Sequence, residues 1–240
     1  QLKYLDMSDC GISNEETAAF RDEYENVKIV WRLYMGKWSL MTDAVAFSVL
    51  IHNFNYVRLT NEDIEVLKYC TALRALDRGH QAITDLSVIG EHLTELRVLI
   101  IADNKVTDLT PLSNLRHLHY LEFFVNRVSD LSPLAECREL VDLNLSYNYN
   151  IWDLSPLYEL PLLERVWLES CGASAKRVDA LREKFPYSKI VNVGKGSVDQ
   201  GWRTHERYYN MIDMFHRDFL SYSFSKYDGR TESLLREPLT

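Results

Sequence analysis

The chain has 240 residues, 46% hydrophobic and 26% charged, which is the balance of an ordinary globular protein and not of a disordered one. Its formal charge of −8 argues against a general nucleic-acid binder, because phosphate recognition rests on Lys and Arg neutralising the backbone. No apolar run reaches the roughly 18 residues that a membrane span needs, so no membrane insertion is expected of this segment, and neither a signal peptide nor a lipid-attachment motif is present. Gln1 stands where an initiator methionine would, and an ordered pattern begins at once with Leu2, so the chain reads as a fragment or processed form.

Residues 2–30, LKYLDMSDCGISNEETAAFRDEYENVKIV, align without gaps onto residues 163–191, LERVWLESCGASAKRVDALREKFPYSKIV. Leu2 matches Leu163, Cys10 matches Cys171, Gly11 matches Gly172, and Lys28-Ile29-Val30 matches Lys189-Ile190-Val191. Each copy predicts a strand, a turn and a full helix. Ser13 followed by Glu16 is a capping-box signature for the first helix. The stretch WRLYMGKWSLMT then alternates about Gly36-Lys37 and predicts a hairpin, and a short helix starting at Asn61 leads into Leu73.

From Leu73 a motif L-x-x-L-x-L-x-x-N-x-I recurs, followed by (T/S)-D-L-(T/S)-P-L. Its first leucines, Leu73, Leu96, Leu118, Leu140 and Leu163, fall 22 or 23 residues apart, which is the period of a leucine-rich repeat. Alternation over L-x-L places the leucines on one face of a short strand, and parallel stacking buries them in a continuous core. Asn104, Asn126 and Asn148, with Gln81 as a variant, stand where the chain turns out of the strand, so their amides can satisfy turn backbone. On the outer side Asp108–Leu112, Asp130–Leu134 and Asp153–Leu157 favour tight or 3₁₀ turns, with Asp capping and Pro preset in φ. The predicted fold class is therefore α/β: a leucine-rich-repeat solenoid with a parallel β-sheet on its concave face and short 3₁₀ turns or helices on its convex face.

Two residues depart from the pattern. Arg78 occupies a core column held elsewhere by Ile101, Phe123, Leu145 and Leu168, so a carboxylate or several carbonyl oxygens are expected around its guanidinium. Asn150 is an extra residue that delays Ile151, and a local bulge is expected at Tyr147 to Tyr149. The four cysteines sit in repeat phase: Cys10 and Cys171 at the Asn position, Cys70 and Cys137 in a leucine column. All four read as small buried apolar side chains, which argues against disulfides or a zinc site.

After Val193, GKGSVDQGWRTHERYYNMIDMFHRDF begins as a loop and ends as an amphipathic helix. Trp202, Tyr208, Met211 and Phe215 are expected to dock on the last repeat and cap the open end of the stack. The organisation reads as an N-terminal helix-containing unit over 1–33, an inserted hairpin and linking helix over 34–72, the repeat array over 73–193, and a C-terminal capping tail over 194–240.

The concave face is the natural place for a binding site, because its side chains come from a rigid sheet and have no core duties. Its columns contribute Ile100, Asp103, Tyr120, Glu122, Phe124, Val125, Asp142, Tyr147, Arg165 and Trp167. Four aromatics in three adjacent repeats, rimmed by carboxylates, have the anatomy of a protein interface. The competing reading is that the C-terminal tail or a second molecule covers them, since large exposed apolar patches are uncommon on monomers. His117 and His119 on one strand, with His205 and His216 in the tail, stand at no recognisable metal-ligand spacing and read as surface or tail-packing residues. The outer Asp column, Asp85, Asp108, Asp130 and Asp153, is explained by turn capping without calcium. No cofactor is implied, and no nucleophile or phosphate-loop motif is present. A concave carboxylate pair such as Asp77 with Asp103 is the only catalytic arrangement to weigh, and solvated acidic side chains are the commoner case.

The segments ITDLSVIG, VTDLTPLSNL, VSDLSPLAEC and IWDLSPLYEL resemble the 22-residue repeats of bacterial internalins and of phosphatase-regulatory repeat proteins, over about residues 59–173. The whole chain, including LDMSDCGISNEE and GWRTHERYYNMIDMF, is also similar to leucine-rich-repeat proteins of gut-dwelling clostridial bacteria. The internalin resemblance implies a non-enzymatic protein-interaction module exposed at the cell surface or secreted. A carbohydrate-binding module using the same aromatics, or a structural spacer in a larger surface protein, are the alternatives.

Overall fold

A computed structural model of the chain describes residues 2–49 and 58–216. Seven strands form one wholly parallel sheet in reverse chain order, from β11 (Lys189–Val191) through β10 (Arg165–Trp167), β9 (Asp142–Asn144), β8 (Tyr120–Glu122), β7 (Val98–Ile100) and β6 (Ala75–Asp77) to β5 (Ala46–Ser48). Successive strands stay in strict register, for instance Leu76 on Leu99, Leu99 on Leu121 and Leu121 on Leu143, so each leucine column becomes one stripe of the core. That core runs unbroken from Leu33 and Phe47 at one end to Leu181 and Ile190 at the other. The array therefore begins one strand earlier than the leucine spacing indicates, with β5 inside the stretch read as an insert.

The convex side is built as the sequence predicts. One repeat carries a helix, α3 (Ser87–His92), and three carry 3₁₀ turns at Thr110–Asn114, Ser132–Glu136 and Ser155–Glu159. Each turn starts on its Asp, whose carboxylate accepts the N–H two residues on: Asp108 from Thr110 at 2.8 Å, Asp130 from Ser132 at 2.8 Å and Asp153 from Ser155 at 3.0 Å. The asparagine column is a buried ladder between repeats. Asn126 accepts the Val106 N–H at 3.0 Å and donates to the carbonyls of Ile101 at 2.9 Å and Phe123 at 3.0 Å, and Asn104 and Asn148 repeat the pattern. Backbone groups that no ladder satisfies are thus paired by one amide per repeat.

The N-terminal unit is a separate two-stranded parallel sheet, β1 (Tyr4–Asp6) with β2 (Lys28–Val30), joined by α1 (Asn14–Glu23). Ser13 and Glu16 form the capping box that starts α1. The hairpin follows as β3 (Arg32–Met35) and β4 (Trp38–Met41), turning at Gly36 with φ of +55°. The next segment is shorter than predicted as a helix, with α2 (Asn61–Ile64) passing into a 3₁₀ turn at Glu65–Tyr69. At the other end α4 (Ala175–Lys184) links β10 to β11.

Three expectations change. Arg78 is fully buried, but its Nη2 donates to the Met35 Sδ at 3.0 Å and its guanidinium lies 4.5 Å from the Phe47 ring centroid. Its Nε and Nη1 have no hydrogen-bond partner among the described residues, so the hairpin supplies a thioether and β5 a ring where oxygens were expected. Burial lowers its pKa to about 9. The extra Asn150 does not bulge a strand: Tyr147 has a φ of +59°, as do its counterparts His80, Asp103, Val125 and Ser170 within a few degrees. The insertion is absorbed in a turn closed by the Ile151 N–H on the Asn148 carbonyl at 3.1 Å. Of the cysteines, Cys70 and Cys137 are buried, but Cys171 is half-buried, and Cys10 is exposed in a unit whose β1 is paired, among the described residues, with β2 alone.

Candidate functional site: the concave face

The concave face is built from residues that the strands point away from the leucine core. In each repeat the second and fourth residues after the first leucine stand on the sheet, and the sixth and seventh line its edge as the chain turns out. In the structure this face is covered by the chain's own C-terminal segment. After β11 the chain turns back and crosses the sheet, ending in α5 (Glu206–His216), which packs toward β5 at the opposite end of the seven-stranded sheet. The segment does not cap the last strand. It lies along the trough, because its apolar residues match the apolar floor there better than the narrow edge of β11.

Three sets of contacts fix it. Trp202 is fully buried between Tyr120, at 5.4 Å between ring centroids, and Trp167, at 5.0 Å, with the Arg165 guanidinium 4.6 Å from its ring. The Trp202 indole N–H donates to the Glu122 Oε1 at 2.6 Å, and the Tyr120 hydroxyl donates to the same oxygen. Further along, Asp142 is completely buried and held by two arginines. Arg165 from β10 and Arg207 from α5 each donate two hydrogen bonds to its carboxylate at 2.8 Å, and Arg207 also reaches Glu164 at 2.8 Å. Finally Met211 and Phe215 are fully buried in a cluster with Ala46, Ala75, Val98, Ile100, Ala102 and Phe124. Small side chains on the first three strands make room for the helix where the later repeats carry Tyr120 and Trp167.

The connecting loop is also tied down. Asn144 donates to the Ser197 carbonyl at 2.6 Å, the Trp167 indole to the Asp199 carbonyl at 3.0 Å, and Arg165 to the Trp202 carbonyl at 3.2 Å. In all three, a side chain of the sheet donates to a backbone carbonyl of the crossing segment.

Electrostatics follow burial. Burial opposes ionisation of Asp142, but the hydrogen bonds and charges of Arg165 and Arg207 outweigh it and hold the carboxyl below its usual range. Glu122 has no facing cation in hydrogen-bond contact, and burial pushes its pKa up against the hydrogen bonds from Tyr120 and Trp202. Asp77 is likewise raised by burial, opposed by the Gly79 N–H and the Ser48 hydroxyl.

Seven of the ten residues predicted for the concave site, Ile100, Tyr120, Glu122, Phe124, Asp142, Arg165 and Trp167, come together under this segment and are buried by it. The other three, Asp103, Val125 and Tyr147, stand on the rim beside it. Asp103 pairs with the His80 Nδ1 at 2.7 Å, Val125 is exposed, and Tyr147 meets the exposed Tyr149 edge-on at 6.2 Å. Of the partners in the segment, sequence alone singles out Trp202, Met211 and Phe215 but not Arg207. The one available signal is Asp142 beside Arg165 in facing columns, a carboxylate with lone pairs to spare. Asp77 and Asp103 each keep their own partners, Asp77 the Ser48 hydroxyl and the Gly79 N–H and Asp103 the His80 ring. His119 is buried, not on the surface; burial pushes its pKa down to about 4, and its ring lies 3.5 Å from the Glu139 carboxylate. Among the described residues no group of three potential metal ligands occurs, and no helix is long and apolar enough to cross a membrane.

Comparison with known proteins agrees with the repeat pattern. A family model described as leucine-rich repeats, two copies, matches residues 94–136. An internalin, InlF, from Listeria monocytogenes is similar in structure, with 26% identity and a TM-score of 0.54 over 66% of this chain and 45% of that one. The leucine-rich-repeat protein LIC12759 of Leptospira interrogans has 26% identity and a TM-score of 0.51 over 60% of this chain and 36% of its own. Internalin C2 of Listeria monocytogenes is 36% identical over 46% of this chain and 50% of that one, with a TM-score of 0.42. The chain thus spans half or less of the length of these structures. No curated protein matches the sequence. The leucine-rich-repeat fold typically mediates protein–protein interaction, and such proteins are generally not enzymes. With its 22-residue period, asparagine ladder and parallel concave sheet, this chain has the leucine-rich-repeat fold and is similar to the bacterial internalins.

Proposed function

We propose that this protein is a non-enzymatic module that binds polypeptide through its concave face, and that residues 194–216 are the face's intramolecular occupant. The observation that carries this reading is the set of anchors beneath the segment. A buried tryptophan slot, a doubly bridged carboxylate and an apolar trough reproduce the centre of a protein interface, with Asp103, Val125 and Tyr147 as its rim. A protein partner at the cell surface or in secretion would use the same anchors once the segment is displaced. A carbohydrate ligand would likewise have to displace Trp202 from the aromatic faces on which it stacks.

The test uses the full chain and a labelled peptide of residues 198–216. An Arg207→Glu chain, whose own segment is loosened by placing a carboxylate against Asp142, should bind the peptide at least 10-fold more tightly than the unmodified chain. Adding Trp167→Ala should abolish that binding. Equal affinity in both chains, or none in either, would remove the concave face as a polypeptide-binding site.

A further inference from the structure

We infer that the N-terminal end of the molecule is a docking face for a further leucine-rich repeat of the 22-residue kind, one that packs on β1 as the repeat of β9 packs on β10. The internal duplication supplies the template. In the second copy β10 lies between β11 and β9, and Leu163 and Leu181 are 2% and 0% exposed. Their matches in the first copy, Leu2 and Phe20, are 58% and 36% exposed. Ile12, in the phase of the buried Ile83, Val106 and Val128, is also exposed, and so are Tyr4 and Tyr24. The residues have the chemistry of a core but only half of its walls.

The backbone gives the same result. Among the described residues β1 pairs with β2 on one side alone. The β2 ladder uses the Lys3 carbonyl and the Met7 N–H, so by the alternation of a parallel ladder the N–H and C=O groups of Tyr4 and Asp6 face the open side. At the equivalent place in the second copy, β9 supplies the partner strand, with Arg165 opposite Asp142 and Val166 opposite Leu143, and α4 packs on the 3₁₀ turn of that same preceding repeat. An unpaired strand edge flanked by five exposed apolar side chains is a surface that natural proteins cover. The 161-residue offset of the two copies specifies the cover: parallel, in register, leucines inward.

The experiment grafts residues 118–162 in place of Gln1 in the full chain and follows amide hydrogen exchange. Exchange of the Tyr4 and Asp6 amides should slow at least 100-fold relative to the unmodified chain, and the melting temperature should rise, as expected when a solenoid gains a nearest-neighbour interface. A control graft with one glycine inserted before Leu2 should lose the protection, because a one-residue slip turns every leucine outward. Unchanged exchange in the in-register graft would overturn the inference. So would a dimer of the unmodified chain in sedimentation that Phe20→Lys dissociates, since a second copy would then be the occupant. Neither result bears on the concave face, whose residues the graft leaves untouched.

Discussion

Replacing Trp202 with alanine should release the C-terminal segment from the concave face. The side chain is fully buried between two aromatic rings and an arginine, so large-to-small truncation removes about 3–5 kcal/mol of packing. The change also takes one donor from Glu122, a buried carboxylate left with Tyr120 as its remaining side-chain donor, at a further cost of about 1–3 kcal/mol. Together these exceed what Asp142–Arg207 and the Met211–Phe215 contacts can hold against the chain entropy of the segment, in which each ordered residue costs roughly 1–2 kcal/mol. The loss should therefore appear first as local opening. Limited proteolysis between Asn192 and Gly201 should accelerate more than 10-fold at urea concentrations where the repeat array stays folded. A Trp202→Ala chain with unchanged cleavage and a stability within about 1 kcal/mol of the parent would refute the packing argument.

Three other substitutions and labels probe the array. Arg78→Leu should be neutral or raise stability in urea denaturation, because a buried cation with two unpaired nitrogens gives way to an apolar side chain facing Met35 and Phe47; a loss of several degrees in melting temperature would show that the charge organises the hairpin. Asn126→Ala should cost about 2–3 kcal/mol, since it strands the Val106 N–H and removes a donor from two carbonyls, whereas an effect below about 0.5 kcal/mol would show that water replaces the ladder. Thiol labelling should find Cys10 at once and Cys171 slowly, while Cys70 and Cys137, whose pKa values burial pushes up to about 12, react only on unfolding; fast labelling of either would place it outside the core.

The fold is legible in the sequence because repetition reveals faces. Five leucines in phase fix which residues of every strand point inward, and the Asp and Asn columns then explain the turns. The concave residues are legible for the same reason, and their shared surface is the one the structure presents. What covers them is legible only as one of two readings, the C-terminal tail or a second molecule, because a contact such as Trp202 with Glu122 joins residues 80 apart with no period linking them. The tail's apolar residues announce that it docks somewhere but not whether along the trough or over the end. β5 escapes notice because Ala46-Phe47-Ser48 carries no leucine in either core phase. Arg78 is visibly anomalous, yet its partners Met35 and Phe47 lie on a hairpin and a strand whose placement no spacing encodes. Cys10 departs from its expected burial because, among the described residues, its unit's β1 is paired with β2 alone.

Seating of α5 on the sheet through Asp142 is the contact on which the covered concave face depends, and a double-mutant cycle of Asp142→Asn and Arg207→Met in the full chain measures it directly. The two residues lie 65 apart in sequence and share two hydrogen bonds of 2.8 Å in a buried setting. The coupling free energy from urea denaturation should fall near the upper part of the range for residues in one buried network, about 1.5–3 kcal/mol. Effects that add to within about 0.3 kcal/mol would mean that Arg207 does not meet Asp142 in solution and that the concave face stands open.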